Sequence, residues 1–225
     1  MLKKISIISL YSIAVIILVM YAITEITPKF ALTGIARVII LCSSCTCLYF
    51  AGLFLSKYKK NNKPMKINLW IFFILYVMLF ITLTLFDGFY GRRGVTSIHW
   101  TKNLFRNYMQ NSMNIIPFKT IIGYMKFTNN TSIRIIITNI VGNIIACMPF
   151  AFFLPLLFKR QNNLKFFTLT MILIVLIIEL LQFITLSGSF DIDDLILNVL
   201  GAIILYMILK IKRIDKLIKK IFLNY

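Results

Sequence analysis

The sequence predicts an all-α, polytopic membrane protein with six transmembrane helices and an outer interfacial amphipathic helix. Three observations support this fold class. Of the 225 residues, 60% are hydrophobic, and the mean hydropathy is +0.88. Six long apolar runs are present, and the charged residues lie mainly in short clusters between them. A soluble domain of this size buries only part of its surface and could not cover so much apolar side chain, whereas lipid can.

The net charge of +18 does not indicate a nucleic-acid-binding protein. The basic residues form no continuous stripe, and the sequence contains no nucleic-acid-binding motif. Their position between apolar runs is typical of the charge bias of membrane proteins. We therefore expect the lipid bilayer, and no nucleic acid, as a partner.

Each apolar run is long enough for a transmembrane helix, which needs about 20 residues to cross the hydrocarbon core. The predicted spans are residues 5–24, 32–55, 67–86, 133–158, 166–186 and 192–209. The first run follows two lysines as a signal peptide would, but it is longer and lacks a small-x-small cleavage site, so we expect a retained helix. The fourth run contains Pro149 and Pro155, which predict a kink or break near its end.

The distribution of lysine and arginine predicts that both termini are cytoplasmic. If the N-terminus lies inside, sixteen of the 25 Lys and Arg residues fall in short cytoplasmic segments. These are Lys3, Lys4, Lys57, Lys59, Lys60, Lys63, Lys66, Lys159, Arg160, Lys165, Lys210, Lys212, Arg213, Lys216, Lys219 and Lys220. Short loops carry the topological signal, so this excess indicates a multi-pass protein of the cell membrane with cytoplasmic ends.

The segment between the third and fourth spans contains the predicted amphipathic helix. Its apolar residues recur at helical spacing: Trp100, Leu104, Phe105, Tyr108, Met109 and Met113. Polar residues fill the other face: Thr101, Lys102, Asn103, Arg106, Asn107 and Gln110. Two interpretations stay open, a helix lying on the outer leaflet and a helix that caps the bundle. Because the chain shows no internal repeat or low-complexity linker, we expect one membrane domain over residues 1–225.

Uncommon polar residues occur in three predicted spans at a similar depth. They are Glu179 and Gln182 in the fifth span, Asn139 and Asn143 in the fourth, and Asp191, Asp193, Asp194 and Asn198 at the start of the sixth. A charged group at mid-membrane costs about 2.5–3.5 kcal/mol, so such residues usually have a function. In the predicted orientation all three groups lie toward the outer side. The sequence therefore predicts a polar pocket open to the outer face.

Each of these residues also has a purely structural interpretation. Asp191 and Asp194 would cap a helix and favour its positive N-terminal end. The Glu, Gln and Asn side chains would form hydrogen bonds between helices. The segment Cys42-Ser-Ser-Cys45-Thr-Cys47 lies in an apolar span without a nearby histidine. We interpret it as small residues at a helix contact, and we expect no metal site and no cofactor.

Four short segments between residues 110 and 206 match a known pattern in order. They are Asn114-Ile-Ile-Pro117-Phe118-Lys-Thr120-Ile, the segment from Asn139 through Gly142 and Asn143 to Pro149 and Phe150, Glu179-Leu-Leu-Gln182, and Phe190-Asp191-Ile-Asp193-Asp194 continuing to Asn198 and Gly201. These segments resemble the VanZ-like family. The whole VanZ-like region covers about residues 68–209.

The resemblance implies a function at the cell envelope. The family is named for a plasma-membrane protein associated with resistance to the lipoglycopeptide teicoplanin. The resemblance also implies that the matching positions, including Asn114, Pro117 and Phe118, belong to a shared functional site. We favour a non-enzymatic role in antibiotic resistance, in which the pocket binds an amphiphile such as a lipoglycopeptide or a lipid-linked wall precursor.

An alternative hypothesis is a membrane enzyme that acts on the head group of a lipid-linked precursor. The four acidic residues between positions 179 and 194 could serve as acid and base or hold a divalent cation. However, no nucleophile–base pair stands out, and His99, the one histidine, is interpreted as a surface residue. A transporter is a third hypothesis, but the sequence lacks detectable repeats or paired broken helices.

Overall fold

The computed structural model describes residues 2–27, 32–86, 101–126, 133–186 and 188–222. Its helices are α1 (Leu2–Ile26), α2 (Gly34–Lys59), α3 (Lys63–Ile81), α4 (Lys102–Asn111), α5 (Lys119–Lys126), α6 (Ile133–Ala146), α7 (Met148–Leu157), α8 (Leu164–Thr185), α9 (Ile192–Leu209) and α10 (Lys212–Phe222). A π-helical segment, Thr82–Phe86, follows α3, and a 3₁₀ turn, Lys159–Asn162, precedes α8. Two short strands, β1 (Met113–Asn114) and β2 (Phe190–Asp191), complete the described elements. The predicted all-α class is confirmed.

Six helical stretches among the described residues are long and apolar enough to cross a membrane. They are Lys4–Ile26, Gly34–Lys59, Lys63–Phe86, Ile136–Leu157, Leu164–Thr185 and Ile192–Leu209. Each corresponds to one predicted span, so the six-span prediction is confirmed. Large apolar side chains along these helices, including Ile8, Ile74 and Leu173, are exposed on the protein surface. Lipid is the environment that such surfaces fit.

The chain divides into two compact units, one formed by Met1–Leu83 with Asp215–Tyr225 and the other by Thr84–Ile214. In the first unit, α2 packs against both α1 and α3. A Cβ atom at Gly52 of α2 would lie 2.2 Å from the Asn68 amide nitrogen of α3. That amide donates to the Leu48 carbonyl oxygen at 2.6 Å, so a buried polar group is satisfied where the helices are closest.

In the second unit, α9 packs against α6, α7 and α8. A Cβ atom at Gly201 of α9 would lie 1.9 Å from the Ile144 carbonyl oxygen of α6, so only glycine permits this approach of the two backbones. Further along α9, the Tyr206 ring stacks on Phe167 of α8 with a centroid distance of 4.5 Å. The Tyr206 hydroxyl also donates to the Asn162 carbonyl oxygen at 2.6 Å. These contacts hold α9 in place along its length.

The fourth predicted span consists of two helices that meet at Cys147. Pro149 stands in the first turn of α7, where its missing N–H costs little, and its ring is incompatible with a continuous helix because it would meet the carbonyl group four residues earlier. The break predicted for this span is therefore present. It lies near the middle of the span rather than near its end, because Pro155 is accommodated within α7.

Candidate functional site

A two-residue parallel ladder joins the segment after α4 to the segment before α9. Met113 pairs with Phe190, and Asn114 pairs with Asp191. The Phe190 N–H also donates to the Ser112 carbonyl oxygen at 3.0 Å. The sequence did not predict these strands, because two residues are too few to show the alternation of a strand. The ladder brings the first and fourth VanZ-like segments together.

The Asp191 carboxylate is the centre of a hydrogen-bond network. It accepts from the Asn114 amide at 2.8 Å, from the Thr120 hydroxyl at 2.6 Å and from the Asp193 backbone N–H at 2.8 Å. The backbone N–H of Asp191 donates to the Glu179 carboxylate at 3.1 Å. Glu179 and Asp191 are both buried. The network therefore links β1, α5, α8 and the start of α9.

The Asp193 carboxylate binds the N-terminal end of α5. It accepts from the backbone N–H groups of Phe118, Thr120 and Ile121, the latter two at 2.8 and 3.2 Å. The first N–H groups of a helix lack partners within the helix, and its positive end favours a carboxylate. Asp193 is 1% exposed, so its charge is stabilised by these donors rather than by water. Asn114, Thr120, Glu179, Asp191 and Asp193 are called the carboxylate clasp below.

Asp194, the next residue, has different surroundings. Its carboxylate accepts from the Asn143 amide of α6, and the Asn198 amide donates to its backbone carbonyl at 2.8 Å. Burial and the negative charges of Asp194 and Asp191 raise the pKa of the Tyr124 phenol on α5. Asp194 and Tyr124 are only half-buried. Tyr124, Asn143, Asp194 and Asn198 are called the Asp194 group below.

A mainly apolar groove lies between α4 and the C-terminal end of α8. It has a volume of about 420 Å³ and is lined by Thr101, Lys102, Phe105, Phe183 and Ile184. Phe105 meets the Phe183 ring edge-on, at a centroid distance of 6.5 Å. The Tyr108 ring also contacts Phe183, and its hydroxyl donates to the Gly188 carbonyl oxygen at 3.0 Å. Helix α4 is thereby attached to the bundle, while one side of the groove stays open.

A family model described as VanZ/LLP1 matches residues 73–213, which is more than half of the chain. The chain belongs to the VanZ/LLP1 family. The VanZ/LLP1 match includes the clasp, the Asp194 group and the groove, and it confirms the resemblance seen in the sequence. No curated protein and no solved structure matches the chain.

The predicted site residues of this VanZ/LLP1 protein occupy several distinct surroundings. The clasp contains Asn114, Glu179, Asp191 and Asp193, with the Phe118 backbone as a donor; the Asp194 group contains Asn143, Asp194 and Asn198. Gln182 is buried, and its amide donates to the Thr84 carbonyl oxygen at 3.0 Å, within the π-helical segment. Its own carbonyl oxygen has no hydrogen-bond partner among the described residues.

The remaining two predicted residues lie at the edge of these groups. Asn139 is one turn before Asn143 on α6 and is partly exposed, and Pro117 is exposed in the turn before α5. The predicted amphipathic helix is described from Lys102 onward, while Trp100 and His99 lie outside the described residues. Sequence reasoning missed Thr120 and Tyr124. Thr120 lies within the first VanZ-like segment but was not selected as a site residue, and the signal for Tyr124 was its position shortly after that segment.

Proposed function

We propose that this VanZ/LLP1 protein binds an amphiphile at the extracytoplasmic surface of the cell membrane. Through this binding it confers or modulates resistance to lipoglycopeptide antibiotics such as teicoplanin. The ligand is the lipoglycopeptide itself or a lipid-linked wall precursor. Its acyl tail lies in the groove between α4 and α8, and its polar head group meets the Asp194 group.

The observation that carries the proposal is the groove. Its volume of about 420 Å³ is within the usual range for small-molecule sites, roughly 300–1,000 Å³. Phe105, Phe183 and Ile184 offer an apolar wall to an acyl chain, while Lys102 supplies a positive charge at the same groove. An amphiphile needs both kinds of surface, since its tail and its head group differ in polarity.

The surroundings of the carboxylates support a structural role for some of them and a ligand-binding role for another. Asp191 and Asp193 each accept several hydrogen bonds from the protein, and they are buried, so we assign them to holding β1 and α5. Asp194 is half-buried beside asparagine amides and a tyrosine phenol. Such a mixture of donors and acceptors suits the hydroxyl and amide groups of a glycopeptide or a wall-precursor head group.

The alternative function is a membrane enzyme that acts on a lipid-linked head group. One observation favours it: the Tyr124 phenol lies near the carboxylates of Asp194 and Asp191, so a hydroxyl donor and two acid–base groups face the same place. Purified protein in vesicles that contain a lipid-linked wall precursor distinguishes the two functions. Conversion of the head group, measured by mass spectrometry and lost in Tyr124→Phe, would favour the enzyme over a binding protein.

The binding proposal is tested by antibiotic susceptibility with and without the gene. Expression should raise the inhibitory concentration of teicoplanin more than that of vancomycin, which lacks the acyl tail. Phe105→Ala should remove this difference because it opens the groove wall. The matched control is Phe54→Ala on α2. Phe54 is 42% exposed and Phe105 is 46% exposed, and the Phe54 ring contacts the Phe50 ring but does not line the groove. Equal protection against both drugs would contradict the role of the tail.

A further inference from the structure

Helix α10 carries its basic and its apolar residues on opposite faces. Five of its eleven residues are basic: Lys212, Arg213, Lys216, Lys219 and Lys220. At 3.6 residues per turn these fall on one side together with Asp215. The other side consists of Ile214, Leu217, Ile218, Ile221 and Phe222. Such complete separation of charge and apolar surface is typical of helices that lie in a membrane interface.

The protein leaves the apolar face of α10 partly exposed: Leu217 is exposed, and the other four apolar residues are intermediate between buried and exposed. No residue of the helix is buried, and Leu217 is 57% exposed. Phe222 contacts the Tyr49 ring of α2 at a centroid distance of 5.9 Å, which tethers the end of the helix. Helix α10 begins three residues after the last residue of the membrane span α9. A partly exposed apolar face at that position is within reach of the acyl chains of the same membrane.

The basic face offers a positive surface that the helix does not neutralise by itself. Asp215, its one acidic residue, forms an ion pair with Lys219 at 2.6 Å. The other four basic residues are exposed: Lys212, Arg213, Lys216 and Lys220. Juxtamembrane basic clusters are attracted to anionic lipids, and each charge near the surface strengthens the association about fivefold.

We propose that α10 lies in the membrane interface and binds the head groups of anionic phospholipids through its basic face. Its apolar face then lies among the acyl chains. The inference concerns a different surface from the groove and does not depend on the proposed function.

The test uses the purified full chain in nanodiscs of phosphatidylcholine alone or of equal parts phosphatidylcholine and phosphatidylglycerol. Amide hydrogen exchange over residues 212–222 should be slower in the anionic nanodiscs. Native mass spectrometry of the detergent-solubilised protein should also show retained phosphatidylglycerol. The double variant Lys216→Gln, Lys220→Gln should weaken this retention by about 25-fold, because two charges are removed from one face.

Two controls keep the result specific to α10. Lys57→Gln with Lys59→Gln removes the same charge from exposed lysines at the end of α2, and it should leave the lipid-dependent protection of α10 unchanged. Lys216→Leu with Leu217→Lys keeps the composition but breaks the apolar face, so it should abolish the protection. Equal exchange in both nanodiscs would overturn the proposal. An equal loss of lipid-dependent protection in the Lys57/Lys59 and Lys216/Lys220 double variants would also overturn it. So would a finding that a soluble acidic oligonucleotide slows exchange in α10 in phosphatidylcholine nanodiscs, because the basic face would then not require a lipid.

Discussion

Asp193 and Asp194 are adjacent in the chain, yet their carboxylates bind different parts of the protein. Asp193 is buried on the N-terminal end of α5, whereas Asp194 is half-buried and meets an asparagine of α6. Sequence reasoning predicted both as site residues and offered helix capping as the alternative. It could not separate them, because their partners lie 73 and 51 positions earlier in the chain. Only the tertiary structure assigns each carboxylate its donors.

Asp193→Asn should release the N-terminal end of α5. Asparagine has one acceptor oxygen, and its NH₂ group would face a backbone N–H that is already a donor. Hydrogen bonds to a charged group contribute about 1.5–3 kcal/mol, so we expect faster amide hydrogen exchange at Phe118, Thr120 and Ile121. Asp215→Asn is the control, because its surface ion pair with Lys219 contributes at most about 1 kcal/mol. Unchanged exchange at the α5 amides would contradict the clasp.

If the protein confers the proposed resistance, Asp194→Asn and Glu179→Gln should abolish it while the protein reaches the membrane at its normal level. Both changes keep the size of the side chain and an acceptor oxygen for the donors described above, Asn143 and the Asp191 N–H, while they remove the charge. The measurement is the inhibitory concentration of teicoplanin together with protein abundance, and Asp215→Asn is again the silent control. Full resistance in both variants would indicate that these carboxylates have only a structural role.

At the scale of helices, the sequence predicted which segments are helical better than it predicted how they pack. Hydrophobic run length defines the six spans, because lipid requires about 20 apolar residues for each. The short elements β1, β2 and α5 carry no comparable pattern; long-range hydrogen bonds hold them. Likewise Gly201 is part of a family-like segment in the sequence, but its contact with α6 depends on the crossing of two distant helices.

Gly201→Ala should destabilise the second unit. The added methyl group would meet the Ile144 carbonyl oxygen at 1.9 Å, so α6 and α9 must separate, and overpacking of this kind costs about 1–3 kcal/mol. Gly142→Ala on α6 is the matched control, because a Cβ atom there meets nothing within 4 Å. Alanine in a helix is otherwise favourable by roughly 0.5–1 kcal/mol. Equal melting temperatures of the two variants in detergent would rule out the close contact.

At the scale of the whole molecule, the positions of the basic residues define the predicted orientation. Sixteen of the 25 lie in the segments assigned to the cytoplasm. The proposed ligand site depends on this assignment, since the clasp, the groove and the Asp194 group lie at the end of α8 and the start of α9. Antibiotics that act on the cell wall reach these residues only if this end of α8 and α9 faces the outside, as the predicted orientation requires.

Reporter fusions test the orientation directly. Fusions after Asn61, Gln110, Asn162, Gly188 and Tyr225 should report inside, outside, inside, outside and inside in that order. The expected pattern follows from the excess of Lys and Arg in the short inner segments. An outside signal at Asn61 or Asn162 would reverse the orientation and remove the extracytoplasmic site. Alkaline phosphatase and green fluorescent protein, used as a pair, give opposite readouts for the same position.

The residues of the clasp are synthesised at widely separated times, so the clasp forms late during biosynthesis. Asn114 and Asp191 are 77 positions apart, and helices α5, α6, α7 and α8 are synthesised between them. At about 5–20 residues per second, a ribosome needs roughly 4–15 seconds between the two residues. Throughout that interval the chain around α5 has been made, but the carboxylates that bind it have not. A nascent chain stalled before Asp191 should therefore be cleaved by protease near Phe118, and one stalled beyond the emergence of α9 should be protected there.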